Sequence, residues 1–533
     1  MTAFFLALIP AFAASLPLFG SRFIPTHDGE YHIIRFWQFF TGLASGQWFP
    51  RWAPDLNNGL GIPLFTFNYP FPSYIGSFFH LFGFSFVDSF KWTMALGYLC
   101  AVTWCYLFVK KEFGVRAAVI ATVIFSYVPY WFVDIYVRGS VGEVWAMSFV
   151  MLALAALSYN RPRIFALSVG ALILSHNILA MMFVPALFFM AIRTGRMLIY
   201  WITGIGLAAY FWLPALLERS YVVGLNTVYY KDHFPAVVQL LFPSWGSGYS
   251  VQGLGDQMSF QIGIIPLLVL VTAGVLVVKR APMSASVRWY SVLALIGSVV
   301  SVFVMTEYAA PLWSAVPFIQ FMQFPWRLLS VFVIATPVLA GLVAGKFPTW
   351  GIILALLSVL FAYPYTRPVT YEKRSDAQYL ENPSFTTGTS SLGDMFQTIW
   401  LAGTPPKDLV FAGTVTGNKK NTPTSYTLTV TASESGMLMA PIAYYPGWKA
   451  RVDGRPVPVS PDPNGLVSLS IPGGDHTIQI WLGSTPWQRV AGLISVLSLS
   501  VLAVSFHPFS LYWVLVQTNR KVRQFTFSKH GEV

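Results

Sequence analysis

The stretch LLSVFVIATPVLAGLVAG at residues 328–345 contains no charged side chain. A helix needs about 20 apolar residues to cross the hydrocarbon core of a bilayer, so a stretch of this length predicts a membrane span. The pattern recurs along the chain and predicts about twelve spans in all. Residues 70–87 are apolar but interrupted by two prolines and two glycines, and predict a short or re-entrant element. The candidate spans are 3–20, 88–109, 117–133, 142–159, 164–178, 179–192, 197–216, 260–278, 289–305, 328–345, 348–363 and 488–506.

The composition excludes an ordinary soluble protein. Of the 533 residues, 55% are hydrophobic and only 10% are charged, too few charges for a normal aqueous surface. The formal net charge of +12 is better explained by the sidedness of membrane loops than by nucleic-acid binding, which we set aside. Cys100 and Cys105 both lie inside an apolar run, which favours buried small hydrophobes over a disulfide.

The charges between the predicted spans separate onto two sides. One side collects basic residues such as Lys110, Lys111 and Arg116, so the positive-inside rule makes it cytoplasmic, together with the C-terminus. The other side holds nearly every Asp and Glu, which contribute little to topology and therefore suggest a chemical role there. Residues 1–20 predict a retained first span, because no Lys or Arg precedes Arg22 to form a signal peptide. We expect an integral protein of a bacterial-type cytoplasmic membrane.

Residues 364–487 predict a second domain on the outer side, between a helical module at 1–363 and a last span with a basic cytoplasmic tail at 488–533. The stretch is polar and too long for an ordinary loop. Asp453-Gly454 is a two-residue hairpin signal. We therefore expect a small extracytoplasmic β-sandwich. Strand-like alternation occurs at 426–430, 466–471 and 477–481.

The outer loop at 21–69 contains a dense polar motif, Thr26-His27-Asp28-Gly29-Glu30-Tyr31-His32. Two carboxylates and two histidines thus follow the first span. A structural interpretation is a hydrated loop in which Asp28 is the N-cap of a short helix, and it stays open beside a catalytic one. A zinc site from His27, Asp28 and His32 is a further alternative, although the spacing matches no defined metal motif.

The outer loop at 134–143 places Arg138 between Asp134 and Glu143. The default interpretation is a structural ion pair, and a functional arginine is the alternative. A cluster of acids and cations at the mouth of an apolar bundle suits a substrate with an anionic head and a hydrocarbon tail. Other charged groups at outer ends of spans are His176, Glu218, Arg219, Lys231, Asp232, His233 and Arg327.

These features resemble a known superfamily. An acidic loop after the first span, another after the third, many spans and an outer β domain resemble the GT-C superfamily of polyprenyl-phosphate-sugar-dependent glycosyltransferases. Segments similar to a bacterial membrane family labelled as related to 6-pyruvoyl-tetrahydropterin synthase are 26–32, 59–63, 209–214 and 324–327. Segments similar to the tail domain of YfhO-like proteins, which are also GT-C-like, are 445–449, 452–454 and 472–477.

The resemblance implies transfer of a sugar from a polyprenyl-phosphate donor to a glycan, lipid or protein acceptor. It also implies that an acid of the first outer loop is the general base; Asp28 matches that position, with Glu30 as the alternative. Relatives that use single-sugar lipid phosphates generally need no metal, so no cofactor is expected. The implied donor-phosphate set is Arg138, Arg219, Arg327 and His233. The implied acceptor or supporting set is His27, His32, Asp134, Glu143, Glu218 and His176.

Two other classes of function remain open from the sequence. A transporter or flippase for lipid-linked sugars would typically show inverted repeats and ionisable residues near the bilayer midplane, whereas the carboxylates here lie at outer boundaries. A non-catalytic envelope assembly protein would use the β domain to bind glycan and the acidic loops as structure. The segment 391–394, Ser-Leu-Gly-Asp, departs from the Glu-containing segment of relatives.

Overall fold

The computed structural model describes residues 2–224, 229–255, 257–391, 394–403, 405–406 and 408–504. They form a bundle of apolar helices, a set of outer loops and a small antiparallel β domain. The predicted fold class, a polytopic helical membrane protein with a β domain, is confirmed. Asp256, which the sequence groups with the outer carboxylates, and the basic tail at 505–533 lie outside the described residues.

Seven helices in the described part are long and apolar enough to cross a bilayer. Pro325–Lys346 has 83% of its apolar window buried and forms the centre of the bundle, whereas Pro486–Val504 has 17% buried and lies at the periphery. The seven are Thr2–Phe19, Phe86–Phe113, Val141–Ser158, Ala285–Met305, Pro325–Lys346, Pro348–Thr366 and Pro486–Val504.

Two predicted spans are bent. The predicted span 117–133 consists of Val115–Ser126 and Pro129–Arg138, which meet at 47°; the ring of Pro129 has no N–H to continue the helix. The predicted span 197–216 consists of two helices that meet at 64°. With the bent pairs and three shorter apolar helices, every one of the predicted spans corresponds to helix. The remaining elements are Gly195–Leu207, Ala209–Leu217, Pro162–Ser175, Asn177–Ala191 and Ile264–Val278.

Loops at the same end of the bundle contact one another. At one end, Phe23 pairs with Glu372 in an isolated β-bridge, and Val222 pairs with Thr398. At the other end, the Ser286 hydroxyl donates to the Glu112 carboxylate at 2.9 Å. Loops that the sequence assigns to one side thus contact loops of the same side, and the cytoplasmic identity of the second end stays a prediction.

Two helices that are not candidate spans lie at the end of the bundle that is predicted to be outer, called the outer end below. Gly29–Ala44 buries one face, which includes Ile33, Phe36 and Phe39, against the bundle. Phe71–Leu81 has 11 residues, about 16 Å at 1.5 Å per residue, and is too short to span. The segment 70–87 is therefore a short element, and its position at the membrane interface stays a prediction.

The β domain consists of two antiparallel sheets. The strands are Gly413–Thr422 (β1), Ser425–Ala432 (β2), Gly436–Ala443 (β3), Trp448–Val452 (β4), Arg455–Val457 (β5), Ser460–Pro461 (β6), Leu466–Ile471 (β7) and Gly474–Leu482 (β8). Their order is β1-β2-β8-β4-β5 in one sheet and β3-β7-β6 in the other. Alternate residues such as Leu428 and Val430 point into a shared core, which confirms the predicted alternation. Asp453 and Gly454 have φ of 49° and 79° and connect β4 to β5 as predicted.

The first outer loop contributes to the core of the β domain. Trp52, Leu60 and Phe67 are buried in the same apolar cluster as the strands, and the N–H of Ala443 donates to the carbonyl of Leu60 at 2.8 Å. The loop that holds the candidate base is thereby fixed from both sides, by the helices and by the sheet.

The beginning of the predicted outer domain packs on the helical module instead of joining a sheet. Asp376 accepts hydrogen bonds from the N–H groups of Phe86 and Val87 at 2.8 and 3.2 Å, at the start of the helix Phe86–Phe113. The carbonyl of Thr386 accepts from the N–H of Asn58 at 2.9 Å. The strands begin only at Gly413, so these earlier residues are held against the helical module and its loops.

Candidate functional site

The motif around Asp28 is attached to the second acidic loop through the backbone. The N–H groups of His27 and Asp28 donate to the carbonyls of Val137 and Arg138 at 3.0 and 2.8 Å. Gly139 permits this approach: its φ is 68°, and a Cβ there would lie 2.2 Å from the Thr26 hydroxyl oxygen. The two acidic loops, separate in sequence, therefore form one structure.

Asp28 is half-buried, and its carboxylate makes no hydrogen bond or ion pair within the described residues. It precedes the helix Gly29–Ala44 but does not cap it with its side chain. The structural interpretation of Asp28 as an N-cap thus accounts for its position but not for its carboxylate. A half-buried carboxylate without a partner is unfavourable for folding, which directs attention to a chemical role.

Arg35 is the cation that this helix brings towards Asp28. It lies seven residues later, two helical turns along the same face. Its guanidinium donates to Asn68 at 3.3 Å and to the carbonyl of Ser390, while its Nε has no hydrogen-bond partner in the described chain. Burial lowers the pKa of Arg35, and nearby Tyr69 and Asp28 act in the opposite direction. No carboxylate forms an ion pair with it among the described residues.

Glu30, the alternative base, has structural partners. Its carboxylate lies 3.5 Å from the Arg374 guanidinium and accepts a hydrogen bond from the Tyr379 hydroxyl at 3.2 Å. Because Asp28 and Glu30 are two residues apart at the helix start, they leave it in different directions. The geometry therefore separates a partnered glutamate from an unpartnered aspartate.

A buried network of four charges lies behind Asp28. Arg138 contacts Asp134 and lies 2.8 Å from Glu143, and Arg327 lies 3.0 Å from the same Glu143 oxygen. Both carboxylates are fully buried, and the two arginine side chains are 4% and 9% exposed. The last six residues of the bent span, Val133–Arg138, wind as a π-helix, a form often found at functional sites. The two positive and two negative charges compensate each other.

Neutral side chains complete the network. Tyr130 donates to Glu143 at 2.9 Å. His176 accepts the N–H of Leu179 through Nδ1 at 3.2 Å, so its Nε2 carries the proton towards Glu143 at 3.8 Å. His176 is thus a buried histidine whose ring nitrogen is hydrogen-bonded, and it also lies close to the charged network.

Aromatic rings cover the arginines. The Arg138 guanidinium lies 4.6 Å from the Trp326 ring centroid, and Arg327 lies 4.9 Å from that of Phe324. The His233 ring packs on the other side of this layer, 4.8 Å from Phe324. His233 therefore neighbours Arg327 through Phe324, and burial lowers its pKa.

Tyr69 connects the two parts of the site. Its ring lies 5.0 Å from the His176 ring and 6.3 Å from His32. Burial raises the pKa of the Tyr69 phenol, which is also influenced by the charges of Arg35, Asp28, Glu143 and Arg327. The phenol therefore stays protonated at neutral pH and lies among the charges of both loops.

Two further predicted site residues, His27 and His32, pack against different aromatic side chains. His27 contacts the carbonyl of Ser247 at 3.0 Å and stacks on Tyr249 at 4.4 Å; burial lowers its pKa. His32 is buried against Phe90 at 6.0 Å, and burial lowers its pKa strongly, so it is neutral.

Two predicted residues belong to another region. Glu218 is fully buried and accepts hydrogen bonds from Tyr445, Thr485 and Gln488, so it joins the bent helix to the β domain and the last span. Arg219 is exposed and lies 5.7 Å from the Phe321 ring centroid. The structure does not bring either into contact with the Asp28 region.

The described residues contain no group of three or more His, Cys, Asp or Glu side chains that could hold a metal ion. His27, Asp28 and His32, the zinc alternative, have the separate surroundings given above. Sequence reasoning missed Tyr69, for which no local pattern exists, and it assigned no role to Arg35. The spacing from Asp28 to Arg35 was the available signal.

Part of the chain matches the model of a known protein family. Residues 411–482 match the family model described as "Bacterial membrane protein YfhO", which confirms the resemblance predicted for the outer domain. No curated protein matches the chain.

Several solved structures are similar to the chain. ArnT from Cupriavidus metallidurans bound to undecaprenyl phosphate is 15% identical over 67% of this chain and 63% of that one, with a TM-score of 0.42. Arabinofuranosyltransferase AftD from Mycobacteria is 18% identical over 70% and 27%, with a TM-score of 0.44. The oligosaccharyltransferase of Archaeoglobus fulgidus with zinc and sulfate is 18% identical over 68% and 52%, with a TM-score of 0.34. The chain spans less than two thirds of the length of each of these proteins.

Proposed function

We propose that this protein is a membrane glycosyltransferase that moves a sugar from a polyprenyl-phosphate donor to a hydroxyl acceptor on the outer face, with Asp28 as general base. The observation that carries the proposal is the half-buried carboxylate of Asp28, which has no structural partner in the described chain and faces a cationic neighbourhood. A base must be free to accept a proton, and Glu30, held by Arg374 and Tyr379, is less so.

In the proposed reaction, Asp28 removes the proton of the acceptor hydroxyl. The acceptor oxygen forms a bond to the anomeric carbon of the donor sugar, and the bond between that carbon and the phosphate oxygen breaks. The electron pair leaves with the phosphate, so polyprenyl phosphate is the leaving group. The negative charge that develops on the phosphate needs positive or hydrogen-bonding groups around it.

Arg35 is the best placed of the cations to bind that phosphate, because no carboxylate in the described chain neutralises it and its Nε is unpartnered. Arg138 and Arg327 are largely neutralised by Asp134 and Glu143. In this proposal they act mainly by fixing the second acidic loop to the segment that contains Arg327 and by offering their remaining donors. His233, behind Phe324, is a weaker candidate for the donor site.

Arg219 is the least favoured of the predicted donor residues. It is exposed beside Phe321 and has no described contact with the Asp28 region. Glu218, its neighbour, has a structural role in the arrangement seen here. The proposed donor site therefore consists of Arg35 in the first place, supported by Arg138, Arg327 and His233.

The test is transfer of a radiolabelled sugar from polyprenyl phosphate by the full chain in lipid vesicles, comparing Asp28→Asn with Glu30→Gln. A general base contributes about 10²–10⁴-fold in rate, so Asp28→Asn is expected to lose at least 100-fold while Glu30→Gln keeps most activity. Full activity in Asp28→Asn would refute the assignment. Movement of the lipid-linked sugar across the vesicle membrane without a new glycosidic bond would favour a transporter instead.

A further inference from the structure

A cavity of about 320 Å³ lies in the outer loops beside the Asp28 motif. Its walls are residues 244–248 on one side and Gln257 and Met258 on the other. Ser247 and Met258 pair in an isolated antiparallel bridge, which holds the two walls together. This volume is at the lower end of the range for small-molecule sites, about 300–1,000 Å³.

The chemistry of the walls fits a neutral, hydroxyl-rich ligand. None of the described lining residues is charged. Trp245 and Met258 supply an apolar surface, and Ser244, Ser247 and Gln257 supply hydroxyl and amide groups that donate and accept hydrogen bonds. A sugar ring has the same two characters, an apolar face of C–H groups and a rim of hydroxyls.

Two glycines increase the polar surface of the cavity. A Cβ at Gly246 would lie 1.9 Å from the carbonyl oxygen of Gln257, and one at Gly248 would lie 2.3 Å from the Gln257 side chain. Without side chains there, the backbone of the first wall approaches the second wall closely and is itself part of the lining. Backbone N–H and C=O groups are rigid hydrogen-bonding partners for a polyol.

The cavity is coupled to the candidate base. The carbonyl of Ser247, a lining residue, contacts His27 Nε2 at 3.0 Å, and Tyr249 stacks on the same imidazole at 4.4 Å. His27 immediately precedes Asp28. Trp245 is also held, by stacking on Tyr365 at 4.5 Å. The cavity wall is therefore fixed to the residue next to the proposed base.

We infer that this cavity is an acceptor subsite that binds a neutral sugar ring and presents one of its hydroxyls to Asp28. The inference rests on the proposed function for the role of acceptor, and it narrows the acceptor class to a neutral glycan. Binding itself does not depend on the transfer reaction and is measured separately.

The experiment is saturation-transfer NMR on the full chain in detergent micelles, with methyl glucoside, methyl galactoside, methyl mannoside and, as a charged comparison, glucuronate. At least one neutral glycoside is expected to bind, and glucuronate more weakly. Gln257→Ala should weaken binding about five- to tenfold, the effect of one or two lost neutral hydrogen bonds. Trp245→Phe should keep part of the binding because an aromatic face remains.

Gln252→Ala is the matched control, since Gln252 is an exposed glutamine of the same loop that does not line the cavity. It should bind the glycoside as the wild type does. The inference is overturned if no neutral glycoside binds, or if Gln257→Ala binds as well as Gln252→Ala.

The two proposals fail in different ways. If the glycoside binds with this pattern of variants but no transfer is found, the sugar-binding cavity stands and the transferase function falls. If Asp28-dependent transfer is found but Gln257→Ala leaves the KM for the acceptor unchanged, the cavity inference falls alone.

Discussion

Removing the carboxylate of Glu143 tests whether the buried charges at the outer end act as one unit. Glu143 accepts hydrogen bonds from Arg138 at 2.8 Å, Arg327 at 3.0 Å and Tyr130 at 2.9 Å. In the wild type, two arginines face two carboxylates. Glu143→Gln leaves both arginines with Asp134 alone, an uncompensated buried positive charge. Such a loss typically costs about 3–5 kcal/mol.

A second substitution separates electrostatics from packing. Arg327→Met in the Glu143→Gln background restores a balance of one arginine and one aspartate. The double variant is therefore expected to be more stable than the sum of the single effects predicts, by at least about 1 kcal/mol. Unfolding in mixed micelles with increasing SDS, followed by tryptophan fluorescence, measures each free energy of unfolding.

Glu30→Gln is the control for this cycle, because the Glu30 side chain is 37% exposed and its ion pair with Arg374 is 3.5 Å long. An exposed pair of this kind contributes about 0–1 kcal/mol. The reasoning is refuted if Glu143→Gln costs no more than this control, or if the effects of Glu143→Gln and Arg327→Met simply add.

Three further predictions concern other parts of the outer end. Tyr69→Phe should reduce sugar transfer at least tenfold yet change the free energy of unfolding by less than about 0.5 kcal/mol, because the phenol lies among the site charges without a described hydrogen bond; a large loss of stability would make Tyr69 structural. Glu218→Gln should cost about 2–4 kcal/mol in the same SDS assay, since three donors converge on this buried carboxylate; a loss below 1 kcal/mol contradicts that role. The hydrogen bond with Asp453 raises the pKa of His476. The backbone N–H of Thr477, and after it the His476 ring, lower the pKa of Asp453, so the pair stabilises the fold from about pH 4 to 6.5 and loses this effect as pH rises through the raised value. In an NMR titration Asp453→Asn should lower the pKa of His476, and an unchanged pKa would refute the pairing.

Periodicity made much of the fold predictable. Each predicted span corresponds to helix, because a bilayer demands long apolar stretches whose composition is visible locally. Strands such as Ser425–Ala432 and Leu466–Ile471 also follow from alternation, since one face packs in a core. A break in the helix at Pro129 could be predicted from the proline itself, but the angle between the two helices depends on tertiary packing.

The site was predictable only in part. Asp28, Asp134, Arg138 and Glu143 stand out because charges are rare in an apolar chain. An ion pair between residues far apart in sequence was not predictable: Arg327 and Glu143, which form one, are 184 positions apart. Long-range contacts of this kind depend on how helices pack and leave no local pattern.

The segment between the helix Pro348–Thr366 and the first strand at Gly413 was the least predictable part of the fold. It has no strong periodicity, yet its residues cap a helix, pair with Phe23 and contact Arg35. Its conformation is set by the partners it meets and not by its own sequence. The same reason explains why Tyr69, in a loop of mixed character, gave no functional signal.

The contrast among carboxylates leads to a final prediction about Asp28. Glu30, Glu143 and Glu218 all have partners that stabilise their charge in the folded state. Asp28 is half-buried and has no hydrogen-bond or ion-pair partner in the described chain, so removing its charge breaks no structural contact.

Asp28→Asn is therefore expected to unfold at the same SDS fraction as the wild type, or at a higher one, while it loses sugar transfer. Asparagine keeps the size and the backbone bonds of Asp28 and removes only the charge. Glu143→Gln, an equally small change, should show the opposite stability effect because its charge is compensated. If Asp28→Asn destabilises the protein as much as Glu143→Gln does, the carboxylate of Asp28 is structural, and its assignment as the base is wrong.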